Sequence, residues 1–333
     1  MHYISLWEMA ELGEVANKQR VEVRDELRGD KIQAVPADRQ PQLLPVPQSL
    51  SVSDLSKTLC STHRDLYFDK VARFRINRRD RPWEAEAGNL IHRLLQDIHV
   101  YAISILPIEG RSLDPESLFR RLRSFGTRKR NQLSARYQND PRFGGDIWQR
   151  LQRHMSNIVF FEALLISTLV TYKAARKTVL ASGTNINPRQ EFVELFNFSA
   201  IEQGLSARSL GITDPVTPDF LFARRAIGDI KTGAVHEDTF ETTCVAYAMA
   251  YEAEYKRPID FGIILHVASS QSHSFPIYYS SHLFTLDDAA RRRFVFLRDQ
   301  KLDILVRRQD PGRQEDEVRC RPCPFYNRCW PTN

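Results

Sequence analysis

One short segment, 217–233, constrains the fold of this chain more than any other. It consists of Thr-Pro-Asp-Phe-Leu-Phe, a polar break at 223–226, and then Ile-Gly-Asp-Ile-Lys-Thr-Gly. The apolar residues on either side of the break are typical of short buried strands, and the two arginines at 224 and 225 fit a connecting turn. The segment therefore predicts a β-hairpin.

The predicted hairpin brings two carboxylates and one ammonium group together. Because side chains alternate along a strand, Asp229 and Lys231 point to the same face, and Asp219 reaches that face from the partner strand. Carboxylate oxygens bind Mg²⁺ or Mn²⁺, and such an ion polarises a phosphate and lowers the pKa of a bound water. A lysine beside it stabilises developing negative charge. These residue types suit metal-dependent phosphodiester hydrolysis, and a hairpin with solvated charges is the alternative.

The composition is that of a globular protein. The 333 residues are 42% hydrophobic and 26% charged, which is sufficient for a large core in one or two domains. The formal net charge of +6 is compatible with a polyanionic partner but does not require one.

The ends and apolar runs indicate a cytoplasmic protein that does not enter a membrane. The amino terminus lacks the basic region and continuous apolar run of a signal peptide. The most apolar run, 158–170, contains Glu162 and is shorter than the roughly 20 residues that span a bilayer, so we expect a buried helix there. Five cysteines in a chain without an export signal favour metal ligation over a disulfide framework.

The first half of the chain is predicted to be mostly helical, with residues 1–31 forming a charged helix. A second helix begins at Ser51, and Cys60 lies on or beside its apolar face, either as a ligand or as a small buried hydrophobe. The helix predicted over 84–105 places His92 at the edge of its apolar stripe, and His99 shares nearly the same face. Each histidine is a candidate ligand or a packing residue.

A basic helix follows, with Asp114 as its N-cap. Its positive side chains either follow a nucleic-acid backbone or form a solvated face, and the sequence leaves the two interpretations open. They are Arg120, Arg121, Arg123, Arg128, Lys129, Arg130 and Arg136. A long helix over 146–177 closes this helical insertion.

The second half predicts an α/β fold with a mixed sheet. A strand at 190–198 precedes the hairpin, and a helix over 237–255 follows it. Strands at 260–268 and 275–279 and a helix over 285–308 then complete the sheet.

The carboxyl-terminal tail carries the strongest single motif. Cys320, Cys323 and Cys329 lie within ten residues on a proline-bearing loop, which favours a soft metal or an iron–sulfur cluster. A fourth ligand must come from elsewhere, and Cys60 is the natural candidate. Cys244 lies within an apolar helical pattern, so we expect it to pack in the core. Zinc bound by four cysteines is the competing interpretation.

Four features together resemble the PD-(D/E)xK nucleases. Within them, the chain is most similar to the RecB-like, CRISPR-associated iron–sulfur exonucleases often called the Cas four family. The features are Gly-Asn-Leu-Ile-His at 88–92, Pro-Asp at 218–219, Gly-Asp-Ile-Lys at 228–231, and one upstream cysteine with three near the carboxyl terminus. One position departs from the family pattern. The family usually carries a Gln-x-x-x-Tyr motif. In this chain Thr243 stands in place of the Gln, and Tyr247 matches the Tyr.

The resemblance implies the roles of individual residues. The implied Mn²⁺ or Mg²⁺ ligands are His92, Asp219, Asp229 and the carbonyl of Ile230. The implied catalytic residues are Asp219, Asp229, Lys231 and Tyr247. The implied ligands of a 4Fe–4S cluster are Cys60, Cys320, Cys323 and Cys329. The implied activity is cleavage of single-stranded DNA from its ends, with processing of new spacers beside the CRISPR integrase proteins.

The resemblance also divides the chain. Residues 1–50 form an N-terminal extension with a Pro-rich linker, and 51–309 form a RecB-like nuclease domain with a helical insertion at about 107–185. Residues 310–333 form a cysteine cluster region that Cys60 completes. Two alternatives remain open: an iron–sulfur DNA-binding or scaffolding subunit of the adaptation complex, which is favoured if the departure at Thr243 weakens activity, or a RecB-like nuclease of DNA repair.

Overall fold

The fold is taken from a computed structural model. The residues that it describes are 21–29, 50–57, 59–74, 83–106, 114–140, 143–180, 196–197, 204–213, 215–222, 226–231, 237–269, 277–321 and 323–331. The prolines of the expected linker and the first part of the strand expected at 190–198 lie outside these ranges.

Helices flank one small sheet. The helices in chain order are α1 (Val52–Ser56), α2 (Arg64–Leu66, continued by a π-helical turn Tyr67–Val71), α3 (Trp83–Ile105), α4 (Pro115–Tyr137), α5 (Gly145–Leu180), α6 (Glu237–Tyr255), α7 (Asp288–Arg307), α8 (Glu317–Cys320) and α9 (Tyr326–Cys329). The strands are β1 (Phe196–Asn197), β2 (Phe220–Phe222), β3 (Ala226–Lys231), β4 (Phe261–Ser269) and β5 (Ile277–Thr285).

The sheet is mixed, as the sequence predicts. The described strands lie in the order β1-β2-β3-β4-β5. β3 and β4 are parallel because α6 crosses between them, and the other neighbouring pairs are antiparallel. The expected hairpin is the β2–β3 pair, in which Leu221 faces Ile227.

Two hydrophobic cores lie on the two faces of the sheet. Alternate residues of β3 enter them: Ala226 and Ile230 join α3, α4 and α5 in one core, whereas Ile227 joins α6 and α7 in the other. Asp229 and Lys231 share the parity of Ile227, so they belong to the α6 side. The end of β3 therefore lies between α3 on one side and α6 on the other.

Local sequence signals explain where α4 begins and how closely it packs. The Asp114 carboxylate accepts hydrogen bonds from the N–H groups of Glu116 and Ser117, and Pro115 occupies the first turn of α4. Gly126 allows α4 and α5 to approach closely, because a Cβ there would lie 2.8 Å from Val159.

The helix expected from Ser51 through Cys60 is wrong beyond Ser56. A capping box between Ser51 and Asp54 begins α1 as expected, but Lys301 ends it. The buried Lys301 Nζ donates hydrogen bonds of 2.7 to 2.9 Å to the carbonyls of Asp54, Leu55 and Lys57. Cys60 consequently lies in the turn between α1 and α2 rather than on a helix face.

The charged helix expected over 1–31 is wrong for its described part. Residues 21–29 contain only a 3₁₀ turn, Asp25–Leu27, and pack against the core. Arg28 Nη1 donates to Glu252 Oε1 at 2.9 Å and to Asp260 Oδ1 at 2.8 Å, both buried carboxylates. Only glycine fits at position 29, because a Cβ there would lie 1.8 Å from the backbone oxygen of Met249.

Among the described residues, no helix combines the length and apolar composition that a membrane span requires.

Candidate metal centre and cysteine pocket

The structure brings His92, Asp219 and the backbone of Ile230 together. His92 Nδ1, on α3, lies 3.3 Å from Asp219 Oδ1, in the loop before β2. Asp219 Oδ2 accepts a hydrogen bond of 2.6 Å from the N–H of Ile230. His92 also interacts with the Ile230 backbone as a hydrogen-bond partner. A helix, a loop and a strand thus meet at one point.

Asp229 and Lys231 complete this cluster from β3. They form an ion pair between Lys231 Nζ and Asp229 Oδ2, as the alternation of side chains along the strand predicts. The Asp229 side chain is only 4% exposed, whereas that of Lys231 is 30% exposed. Lys231 Nζ also lies 5.3 Å from the centre of the Phe240 ring at the start of α6. The ammonium group therefore stands between the buried carboxylate and solvent.

The two carboxylates have opposite electrostatic environments. Burial raises the pKa of Asp229 to about 7, and the negative charge of Asp219 adds to this shift against the opposing effect of Lys231. Burial also opposes ionisation of Asp219, but hydrogen bonds and the His92 charge outweigh it and hold its pKa below the usual range. Burial lowers the pKa of His92, yet Asp219 and Asp229 raise it overall. The cluster thus holds one carboxylate ionised and one close to its titration point.

Helix α6 contributes Tyr247 to the edge of the site. Burial raises the pKa of the Tyr247 phenol, and Asp229 and Asp219 raise it further. Its hydroxyl therefore stays protonated. Thr243, one turn earlier, is buried. Cys244 is fully buried in the α6–α7 core, and its Sγ faces the Ile263 carbonyl at 4.0 Å, in agreement with the packing role expected from the sequence.

The donor types in this cluster fit a hard divalent ion. Two carboxylates, one imidazole and one carbonyl are ligands that Mg²⁺ and Mn²⁺ accept. Within the described part of the chain, no three His, Cys, Asp or Glu side chains already stand in the arrangement of a metal site. In the carboxylate cluster, His92 pairs with Asp219 and Lys231 pairs with Asp229. These pairs must separate for the same groups to surround an ion.

The second candidate, His99, lies elsewhere. His99 Nε2 is 2.6 Å from Glu162 Oε2 on α5, and both side chains are buried in the helical core. This pair ties α3 to α5.

The four cysteines expected to act together line one pocket. Cys60, Cys320, Cys323 and Cys329 all contribute to its wall, and Cys244 does not. Residues that are 260 positions apart in sequence thus converge, with Cys60 from the α1–α2 turn and the others from α8, α9 and the turn between them.

Three of these sulfurs face hydrogen-bond donors. Gln314 Nε2 donates to Cys320 Sγ at 2.9 Å, and the Phe325 backbone and the Arg64 side chain interact with the sulfurs of Cys323 and Cys329. Burial raises the pKa of Cys323 to about 11 and also raises that of Cys329. A metal that replaces the thiol protons would bind thiolates that already have hydrogen-bond donors beside them.

The pocket is held together by contacts between its two chain segments. Ser61 donates from N and Oγ to Gln314 Oε1, each at 2.8 Å, so Gln314 links Cys60's turn to Cys320. Arg64 forms a bidentate pair with Asp310, with distances of 2.6 to 3.1 Å. No sequence motif predicts Gln314 or Arg64 as a site residue. Their only sequence signal is nearness to cysteines. Arg64 lies four residues after Cys60, and Gln314 lies six residues before Cys320.

Comparison with known proteins identifies the family of this chain. The model of the family described as CRISPR-associated exonuclease Csa1 matches residues 3–121 and 149–331. The chain belongs to this family. The resemblance to CRISPR-associated exonucleases that the motifs indicate is therefore confirmed at the family level. Every candidate site residue falls inside the two matched ranges, and 122–148 falls between them.

Two Csa1 relatives match most of the chain. The CRISPR-associated exonuclease Csa1 of Saccharolobus solfataricus is 28% identical over 288 residues, which cover 85% of this chain and 87% of the relative. The protein of the same name from Thermoproteus tenax is 26% identical over 316 residues, which cover 92% of each. No solved structure matches the chain.

Proposed function

We propose that this protein is a metal-dependent DNA exonuclease that acts on single-stranded DNA ends. The observation that carries the proposal is the convergence of His92, Asp219, Asp229 and Lys231 at the end of β3. Family membership supports the same class of activity, because the two relatives are named CRISPR-associated exonucleases.

The residues have separate tasks in this proposal. Asp219, Asp229, His92 and the Ile230 carbonyl would hold Mn²⁺ or Mg²⁺. When bound there, the ion supplies Lewis-acid polarisation of the scissile phosphate and a water of lowered pKa. The Lys231 ammonium, once released from Asp229, stabilises the negative charge that develops on the phosphate oxygens. The protonated Tyr247 hydroxyl would serve as a hydrogen-bond donor at the border of the site.

The core around these residues is proposed to be a PD-(D/E)xK core. The positions of the motif elements support this proposal, since Pro-Asp stands just before β2 and Asp-Ile-Lys stands on β3. We place the nuclease domain at 51–309, with its helical insertion at about 107–185, and treat 1–50 as an extension with a linker.

We further propose that Cys60, Cys320, Cys323 and Cys329 hold a 4Fe–4S cluster. The shared pocket of four thiols and its donors to sulfur support this. Zinc is the competing occupant, since four cysteine thiolates also suit it. Cys60 lies near the start of the nuclease domain and the other three thiols lie in the region 310–333 that follows it. The cluster would therefore tie the two ends of that domain together, a structural rather than catalytic role.

The proposed setting is CRISPR adaptation in the cytoplasm. There the enzyme would trim the DNA ends of new spacers beside the CRISPR integrase proteins.

A second candidate function, a weakly active DNA-binding or scaffolding subunit, is favoured by one observation. Thr243 stands where the family pattern has Gln, and its side chain is buried one turn from Tyr247. The intact set of His92, Asp219, Asp229 and Lys231 favours the nuclease.

The deciding experiment follows the length of end-labelled single-stranded DNA with purified full-length protein in Mn²⁺, in Mg²⁺ and in EDTA. We expect progressive shortening in Mn²⁺ or Mg²⁺, none in EDTA, and no cleavage of circular single strands. Binding without cleavage in every metal would favour the scaffolding role. Equal cleavage in EDTA would contradict the proposed metal dependence.

A further inference from the structure

The positive charge of this chain is concentrated on helix α4. The helix carries seven arginine and lysine residues and one acidic residue, Glu116, which gives a formal net charge of +6. The whole chain also has a net charge of +6, so the positive and negative charges of the rest of the protein cancel. A local excess of this size creates a positive potential over one surface rather than over the whole molecule.

Part of this charge forms an exposed stripe. Arg121, Arg128 and Arg136 are all exposed and are spaced seven and eight residues apart, which is close to two turns, so they lie along one side of α4. We call these three residues the basic stripe. The ion pairs that α4 forms with carboxylates use other side chains, Arg120 with Glu116 at 3.5 Å and Lys129 with Asp97 at 3.4 Å.

An exposed aromatic ring lies beside the start of the stripe. Phe160, on α5, is 40% exposed, and its neighbour one turn later, Leu164, is 43% exposed. Phe119 packs edge-on against Phe160 at 5.6 Å, and Arg123 Cζ lies 5.8 Å from the centre of the same ring. Cations next to an exposed ring form a surface on which nucleic-acid bases stack while their phosphates are neutralised.

The stripe leads from this ring toward the candidate metal centre. Tyr101 stacks on Phe125 at 4.0 Å, and Asp97 pairs with Lys129, so α3 and α4 run antiparallel. The Arg136 end of α4 therefore lies beside the first half of α3, which carries His92. Exposed Arg150 and Arg153, in the first turns of α5, extend the positive surface at this end.

We propose that the basic stripe and Phe160 bind single-stranded DNA on its way to the candidate metal centre. The destination of the strand rests on the proposed function, whereas the binding itself does not. The match to the Csa1 family model stops at 121 and resumes at 149, so Arg128 and Arg136 lie outside it, whereas Arg121 and Phe160 lie inside it. A single strand fits better than a duplex because only unpaired bases offer a face to Phe160.

The first test measures binding of fluorescein-labelled oligothymidylate by fluorescence anisotropy, with full-length protein in EDTA. In the triple variant Arg121→Gln, Arg128→Gln and Arg136→Gln, we expect about tenfold weaker binding or more. The slope of log K against log salt should fall by about 2, since each single-strand phosphate contact contributes about 0.7. The matched control removes equal charge from exposed arginines elsewhere, through Arg257→Gln, Arg292→Gln and Arg307→Gln, and should keep the wild-type slope.

The second test separates base stacking from charge. Phe160→Ala should weaken binding of the oligothymidylate about tenfold, because base–aromatic stacking has that order of magnitude. It should leave binding of an abasic strand of equal length unchanged. Phe296→Ala, which removes a ring that is 61% exposed on α7, is the control and should bind both strands as the wild type does.

Unchanged affinity and salt slope in the triple variant overturn the proposal, as does an equal loss in the control triple. A Phe160→Ala loss that persists on the abasic strand or is equally large on duplex DNA also overturns it. Failure of the proposed function gives a different pattern: no cleavage by any protein, with the binding differences intact.

Discussion

Asp219 Oδ2 accepts a hydrogen bond of 2.6 Å from the N–H of Ile230, eleven residues later in the chain. This bond fixes one carboxylate oxygen to the backbone of β3 and leaves Oδ1 facing His92. The Asp219 N–H donates in turn to the Gly228 carbonyl at 3.2 Å. The relative positions of the two candidate carboxylates therefore depend on the hairpin backbone, which is more rigid than a side chain.

The two histidines of α3 should separate metal binding from packing. His92→Ala removes an imidazole beside two carboxylates, and nitrogen favours Mn²⁺ over Mg²⁺. We expect Mn²⁺ binding, measured by electron paramagnetic resonance of the free ion, to weaken about tenfold or more. His99→Ala should keep Mn²⁺ binding but lower the melting temperature, because it removes the imidazole that pairs with the buried Glu162 carboxylate. Unchanged binding in His92→Ala with loss in His99→Ala would show that the wrong histidine is assigned.

The sequence predicted the hairpin that carries Asp229 and Lys231 because the signals of the hairpin are local. The β2–β3 hairpin follows from period-two alternation over a few residues, and the Lys231–Asp229 pair follows from the same alternation. Helix α6 has the predicted bounds, 237–255, because its apolar pattern is uninterrupted.

The predicted ends of α1 and β5 are wrong because contacts distant in sequence determine them. Helix α1 ends early because Lys301, more than 240 residues away in sequence, donates hydrogen bonds to the carbonyls at the end of the helix. Strand β5 continues to Thr285, past the predicted end at 279, because β4 pairs with it along its whole length. Neither partner is visible in the local pattern.

The cysteine variants test the proposed cluster. Cys60→Ser and Cys323→Ser each remove a thiol from the shared pocket, so we expect loss of iron and sulfide and a lower melting temperature. Cys244→Ser is the matched control, because its thiol lies in the α6–α7 core outside the pocket. Iron retained in Cys60→Ser, or lost in Cys244→Ser, would show that the fourth ligand is misassigned. Zinc in place of iron in anaerobically purified protein would favour the competing site.

Gln314 should tune the proposed cluster without ligating it. Gln314→Glu keeps an oxygen that accepts from Ser61 but replaces the donor to Cys320 Sγ with negative charge. Hydrogen bonds to cluster sulfurs favour the reduced, more negative state, so we expect a more negative reduction potential with iron still present. The potential is measured by anaerobic redox titration. A potential equal to that of the wild type would contradict this role.

The N-terminal segment should contribute strongly to stability through Arg28. Arg28→Ala removes the guanidinium group that pairs with the buried carboxylates of Asp260 and Glu252, so we expect the free energy of unfolding to fall by about 3 kcal/mol. Arg24→Ala is the control, since its pair with Asp288 is exposed and should contribute less than about 1 kcal/mol. The measurement is denaturant unfolding of both variants. Equal, small effects would show that 21–29 is not an integral part of the fold.

The central claim is that the cluster at the end of β3 performs metal-dependent DNA cleavage. Its most direct test is the single-turnover rate of single-stranded DNA cleavage in Mn²⁺ for the wild type, Asp229→Ala and Lys231→Ala. The matched control is Lys256→Ala, in a Glu-x-Lys sequence at the end of α6 where the lysine donates to the Ala253 carbonyl. We predict rates lower by about 10²-fold or more in both site variants, with unchanged circular dichroism, and a wild-type rate in the control. Rates close to wild type in Asp229→Ala or Lys231→Ala would contradict the assignment.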